Sequence, residues 1–147
     1  MKILILCFIF FVFAPSVYSQ TSPVKYKDLE SFKKNGTGEM WRNVMISPKF
    51  KRDDLIALAK YLHDKYPGSP IRIFTDDAKF EEYMQRDIHY PDPAYTYPEK
   101  WASKHYIARI QSTTRDGGKT RRWQLFPVSS ATYKLVTGSA EVIADLD

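Results

Sequence analysis

Between Met40 and Phe74 the order of three elements fixes most of what this chain can fold into. The middle element is a helix: Leu55, Leu58, Ala59, Leu62 and Tyr66 recur at i, i+3, i+4, i+7 and i+11, one apolar stripe at the helical period. Asp53 and Asp54 stand at its amino end, where carboxylates complement the helix dipole, and Pro67-Gly68 stops it. Before it, Met40 to Ile46 is a short apolar run closed by Ser47-Pro48. After it, Pro70-Ile71-Arg72-Ile73-Phe74 alternates and is β-branched, so both flanks read as strands. Strand, helix and strand in that order require a right-handed crossover and a parallel strand pair.

The rest of the chain extends this unit. Thr75-Asp76-Asp77 offers oxygens to cap a second helix striped by Phe80, Tyr83, Met84 and Ile88, with Glu81 and Glu82 in its early turns. The segment Tyr90-Pro91-Asp92-Pro93-Ala94-Tyr95-Thr96-Tyr97-Pro98 is a loop, and Pro98 to Trp101 can open a short helical turn because proline is tolerated at a first helical position. From His105 to Gln111, Tyr106, Ala108 and Ile110 alternate with Ile107 and Arg109. Asp116-Gly117 and the run of Trp123, Gln124 and Leu125 follow, which predicts a hairpin. The expected fold is therefore α+β: a two-layer sandwich with a mixed sheet of about four strands and two helices on one face, in the order β-α-β-α-loop-β-β. That architecture serves many unrelated functions.

The ends of the chain read differently. Lys2, the apolar run Ile3 to Ala14, Pro15 and then Ser16-Val17-Tyr18-Ser19 follow the grammar of a signal peptide, with a run shorter than the ~20 residues that span a bilayer. Cleavage is expected between Ser19 and Gln20. Residues 1–19 are thus predicted as signal, 20–38 as a polar tether, 39–128 as the globular domain and 129–147 as a tail or edge strand. The expected destination is a secreted or periplasmic one, with no stable membrane anchor after cleavage. Cleavage removes Lys2 and Cys7, so the full chain's net charge of +5 falls to +4 and no thiol remains. This argues against disulfide scaffolds, thiol catalysis and cysteine-ligated metals. Asn35-Gly36-Thr37 matches a glycosylation acceptor, but Asn-Gly is equally a turn signal.

Chemistry is harder to place. Asp76 and Asp77, just past a strand's carboxyl end, serve either a hard cation or helix capping, and capping needs no partner cluster. His63, His89 and His105 have no partners at metal-ligand spacing, and no nucleophile elbow or phosphate loop is present, so neither a metal nor a cofactor is expected. Asp76 and Asp77 with His89 and His105 form the set that a small hydrolase or metal-dependent enzyme would use. The loop aromatics Tyr90, Tyr95, Tyr97 and Trp101 suit stacking on a protein, peptide or glycan, and equally suit folding inward as a lid. Arg109, Arg115, Lys119, Arg121 and Arg122, beside Trp123, form either a cationic patch for anionic polymers or membrane surfaces or a charged guard on an edge strand. A charge of +4 is too small for a dedicated nucleic-acid binder. The leading expectation is a non-enzymatic binding module that uses Tyr90, Tyr95, Tyr97, Trp101, Arg109, Arg121, Arg122 and Trp123.

Overall fold

A computed structural model describes residues 21–34, 37–115, 120–136 and 142–147. The predicted export signal, Cys7, Asn35 and Lys119 lie outside the described residues, as does the side chain of Arg115. The elements in chain order are β1 (Tyr26–Asp28), β2 (Phe32–Lys33), β3 (Met40–Ile46), α1 (Arg52–Lys65) and β4 (Ile71–Phe74). They continue with α2 (Phe80–Ile88), α3 (Glu99–His105), β5 (Tyr106–Arg115), β6 (Thr120–Pro127), α4 (Ser130–Tyr133) and β7 (Ala144–Asp145). Among the described residues no helix is long and apolar enough to cross a membrane.

The fold is α+β, built on one open mixed sheet ordered β1-β3-β4-β5-β6-β7, with β2 also paired to β3. The strand–helix–strand unit forms as its periodicity requires: β3 and β4 pair in parallel, Val44 beside Ile73 and Met45 beside Phe74. α1 starts where the Lys51 backbone N–H donates to the Asp54 carboxylate at 3.1 Å and ends before Gly68, whose φ of 75° suits a residue without a Cβ. The β5–β6 hairpin is antiparallel from Ala108 opposite Pro127 to Arg115 opposite Thr120.

The sheet has about seven strands rather than four, and the extra ones come from the two ends. β1 and β2 both pair antiparallel with β3, Tyr26 opposite Ile46 and Phe32 opposite Trp41, so they form one interrupted strand along its outer edge. Their lysines and the break between them suit an edge that must not recruit another chain. At the other end, β7 pairs with β6, Gln124 opposite Asp145. Arg52 on α1 holds Leu135 and Ile143, donating through Nε to the Leu135 carbonyl at 3.0 Å and through Nη2 to the Ile143 carbonyl at 2.9 Å.

The helices also depart from expectation: they cover opposite faces of the sheet. Leu55, Leu58, Ala59 and Leu62 of α1 pack on Val44, Ile46, Ile71, Ile73, Ala108, Ile110 and Leu125. α2 and α3 cover the other face, where Phe80, Tyr83, Met84 and Trp101 pack with Phe32, Trp41 and Phe74. The reason lies in β4, all of whose residues are buried. A central strand covered on both sides has no solvent face, so Arg72 is not an outward residue between two inward ones. Tyr106 changes face for a related reason. An irregularity between Ile73 and Phe74 pairs Tyr106 with Phe74, on the aromatic side, instead of leaving it in line with Ala108 and Ile110.

Candidate functional site

The face under α2 is aromatic, and a charge is buried in it. Phe74 lies at its centre, edge-on to Phe80 and Tyr83 and stacked against Trp101 and Tyr106, with centroids 5.1 to 5.8 Å apart. Such pairs contribute about 0.5–1.5 kcal/mol each beyond their burial. Next to Phe74 on the strand, but two residues along the same face, the Arg72 guanidinium lies over Trp41 at 4.6 Å, Phe32 at 5.1 Å and Tyr83 at 5.4 Å. Its Nη1 forms an ion pair with Asp87 of α2, and the two side chains are only 9% and 11% exposed. Burial disfavours the Arg72 charge, but Tyr83, Tyr106 and the Asp87 carboxylate outweigh it and hold the group's pKa above the ordinary arginine value.

The loop after α2 closes over this pair. Asp87 accepts a second hydrogen bond, 2.6 Å, from the Tyr97 hydroxyl on its other carboxylate oxygen. Burial first, and that bond second, push Tyr97 up to about 12. Tyr97 also rests on Tyr83, 4.8 Å between centroids, and the Arg86 guanidinium lies over Tyr90 at 4.7 Å and Tyr97 at 5.8 Å. The Tyr90–Pro91 peptide is cis, and Asp92 turns the chain by accepting the Ala94 N–H at 2.9 Å.

Two concavities flank Tyr97. One, of about 310 Å³, is lined by Phe32, Lys34, Trp41, Arg72, Asp87, Tyr90 and Tyr97. The other, about 770 Å³ and more open, lies between the start of α2 and α3, with Lys79, Lys100, Trp101, Lys104 and His105 among its walls. Beneath it the Trp101 indole donates to Asp76 at 2.7 Å. That bond first, and the Ala78 backbone N–H second, hold the Asp76 carboxyl below its ordinary pKa. The 310 Å³ pocket is at the small end of ligand-site volumes, and its aromatic walls around a few charges have the composition of such sites.

The predicted site residues divide. Tyr97, 39% exposed, lines both concavities; Tyr90, 63% exposed, lines only the smaller, and the buried Trp101 only the larger. Tyr95 stacks on His89, centroids 4.0 Å apart, and lines neither concavity. The hairpin residues sit elsewhere. Trp123 is buried in the aliphatic core against His63, with Arg121 over its ring at 5.5 Å and bonded to Ser112 at 2.8 Å. Arg109 lies over Phe126 at 5.5 Å, and Arg122 is exposed.

Asp76, Asp77, His89 and His105 have separate partners. Asp77 pairs with Lys27 at 2.7 Å, His89 bonds Gln85 at 3.1 Å and His105 bonds Thr75 at 3.2 Å. Hydrogen bonds run from these four to other groups, and His105 is near enough to Asp76 to help lower its pKa, after the Trp101 and Ala78 bonds. Among the described residues no group of three or more metal-ligating side chains is present.

Sequence reasoning missed Phe32, Lys34, Trp41, Arg72 and Asp87. Four of the five carry little signal in one dimension. Arg72 does carry one: a cation flanked by Ile71 and Ile73 in a strand bounded by helical segments on both sides. No family model, curated protein or solved structure matches the chain.

Proposed function

We propose that this protein is a non-enzymatic binding module whose site is the pocket floored by Arg72 and Asp87 and walled by Phe32, Trp41, Tyr90 and Tyr97. One observation carries the reading: a largely buried, ring-flanked guanidinium borders a concavity whose outer wall is made of two exposed tyrosines on a proline-rich loop. Burying an ion pair is expensive, and replacing such a pair with apolar side chains is often neutral or stabilising. Its presence beside a cavity is easier to explain by recognition than by stability alone. The loop tyrosines offer wide contact area with few rotatable bonds, which keeps the ordering cost of a contact low. The ligand is a group on a protein, peptide or glycan, or a free small molecule, that fits a volume of about 310 Å³.

The test is an NMR titration of the isotopically labelled protein with a panel of small fragments: aromatic acids and amides, amino-acid derivatives and monosaccharides. Shifts are expected at Lys34, Tyr90, Tyr97 and the Trp41 indole N–H, and should vanish in Tyr90→Ala while its thermal midpoint stays near wild type. Shifts confined to the hairpin, or none from any fragment, would overturn the proposal.

A further inference from the structure

The donor and acceptor inventory of the same pocket names the chemistry it takes, an inference that rests on the binding reading above. Three charged side chains border the cavity: Lys34, Arg72 and Asp87. The single carboxylate has both oxygens engaged, Oδ2 by Arg72 and Oδ1 by Tyr97. The donors are less committed. A guanidinium carries five N–H groups; Arg72 meets its carboxylate partner through Nη1 alone and also hydrogen bonds the Tyr106 side chain, fewer partners than it has N–H groups. Lys34 is exposed, lies 5.7 Å from the Trp41 ring centre and makes no ion pair among the described residues. The Trp41 indole N–H is buried and has no acceptor among the described residues. Two cations against one satisfied anion leave the pocket with a positive charge and spare N–H donors. Four rings make the rest of the wall.

We infer that the pocket selects a flat apolar group bearing one carboxylate, with the carboxylate directed to Arg72 and Lys34 and the flat body held among Phe32, Trp41, Tyr90 and Tyr97. A fixed planar fork matches a carboxylate in two parallel hydrogen bonds, which a point charge cannot do. An incoming cation would meet two cations and a carboxylate already neutralised. A neutral ring would fill the walls but leave the donors unpaired, and unpaired polar groups are what makes such sites discriminate. Two sources present this chemistry: a free aromatic acid, and the C-terminal carboxylate of a peptide ending in an aromatic residue.

The experiment compares four probes by chemical-shift titration of the full chain: phenylacetate, phenylacetamide, the dipeptide Gly-Phe and its C-terminal amide, with benzylamine as the cationic control. Each acid is expected to bind at least about tenfold more tightly than its amide, as hydrogen bonds to a charged group imply. Added salt should weaken the acids and not the amides. Lys34→Ala, an exposed position that leaves the core untouched, should weaken the acids severalfold and spare the amides. Arg72→Gln combined with Asp87→Asn, which removes both charges together, should abolish the preference for acids. Tighter binding of phenylacetate than of Gly-Phe identifies a free acid, and the reverse a peptide terminus; either supports the inference. Equal binding of acids and amides, or preference for benzylamine, overturns the carboxylate assignment while leaving the pocket in place. Silence from every probe overturns the inference, and the fragment panel then decides whether the pocket binds anything.

Discussion

The two faces of the sheet are held together by different physics. Under α1, Leu55, Leu58, Ala59 and Leu62 meet isoleucine, valine and leucine from β3, β4, β5 and β6, most with no solvent exposure. Under α2 and α3 the contacts are among rings, with an ion pair beside Phe74 and a tyrosine donating to it. Aliphatic side chains pack without preferred direction, so they close space efficiently. Rings and a guanidinium have preferred approach angles, so their contacts are directional. Both concavities that border the loop lie on that second face. The aliphatic face is packed from side chains without polar groups, and the ring-built face carries the ion pair and both recesses beside the loop.

Four measurements can break or sharpen that contrast. The largest effect is expected from Arg72→Met, which leaves the buried Asp87 carboxyl without its cation; chemical denaturation should show a loss of about 3–5 kcal/mol. Adding Asp87→Leu to it should recover most of that loss, because an apolar pair of similar bulk needs no compensation. A double variant as unstable as the single one would show that the ion pair organises the face beyond its own charges. On the aliphatic side, Leu58→Ala should cost about 2–5 kcal/mol through lost transfer and the cavity left behind, with the probe titrations above unchanged. Altered ligand binding in that variant would mean that the two faces are coupled.

A smaller effect is expected in acid. The Asp76 carboxyl titrates below its ordinary value of 3.8, through the Trp101 indole bond first. Its stabilising contribution is fully present above that value and is lost as the pH falls through the lower, folded-state pKa. Trp101→Phe should flatten the fall of the thermal midpoint with pH below about 4; an unchanged slope would show that the bond contributes nothing. The smallest stability change belongs to Tyr90→Ala, whose side chain is largely exposed: within about 0.5 kcal/mol of wild type, with binding lost. Unfolding of this variant would make Tyr90 part of the core instead of the recess.

How much of this was legible depended on whether a feature repeats. α1 announced itself through Leu55, Leu58, Leu62 and Tyr66, and the hairpin through two alternating runs around a turn, because burial on one face of a regular element writes its period into the chain. The parallel pairing of β3 with β4 followed from their order around that helix. The edge strands were hidden: Tyr26–Asp28 and Phe32–Lys33 are short and lysine-rich, and pair only because β3 offers them a free edge. Arg72 passed unnoticed because alternation is read with one solvent face in mind, and β4 has none.

The sequence by itself determined α1, the strands around it, the hairpin, the α+β class, the absence of an internal disulfide in a chain with one cysteine, and the gathering of aromatics between Tyr90 and Trp101. Tertiary structure alone decided which face each helix covers, and it brought Phe32, Lys34, Trp41, Arg72 and Asp87 to the loop tyrosines around one recess. Periodic burial is a local property that a chain records residue by residue. A pocket joins side chains from β2, β3, β4, α2 and the following loop, and no local pattern links positions so far apart.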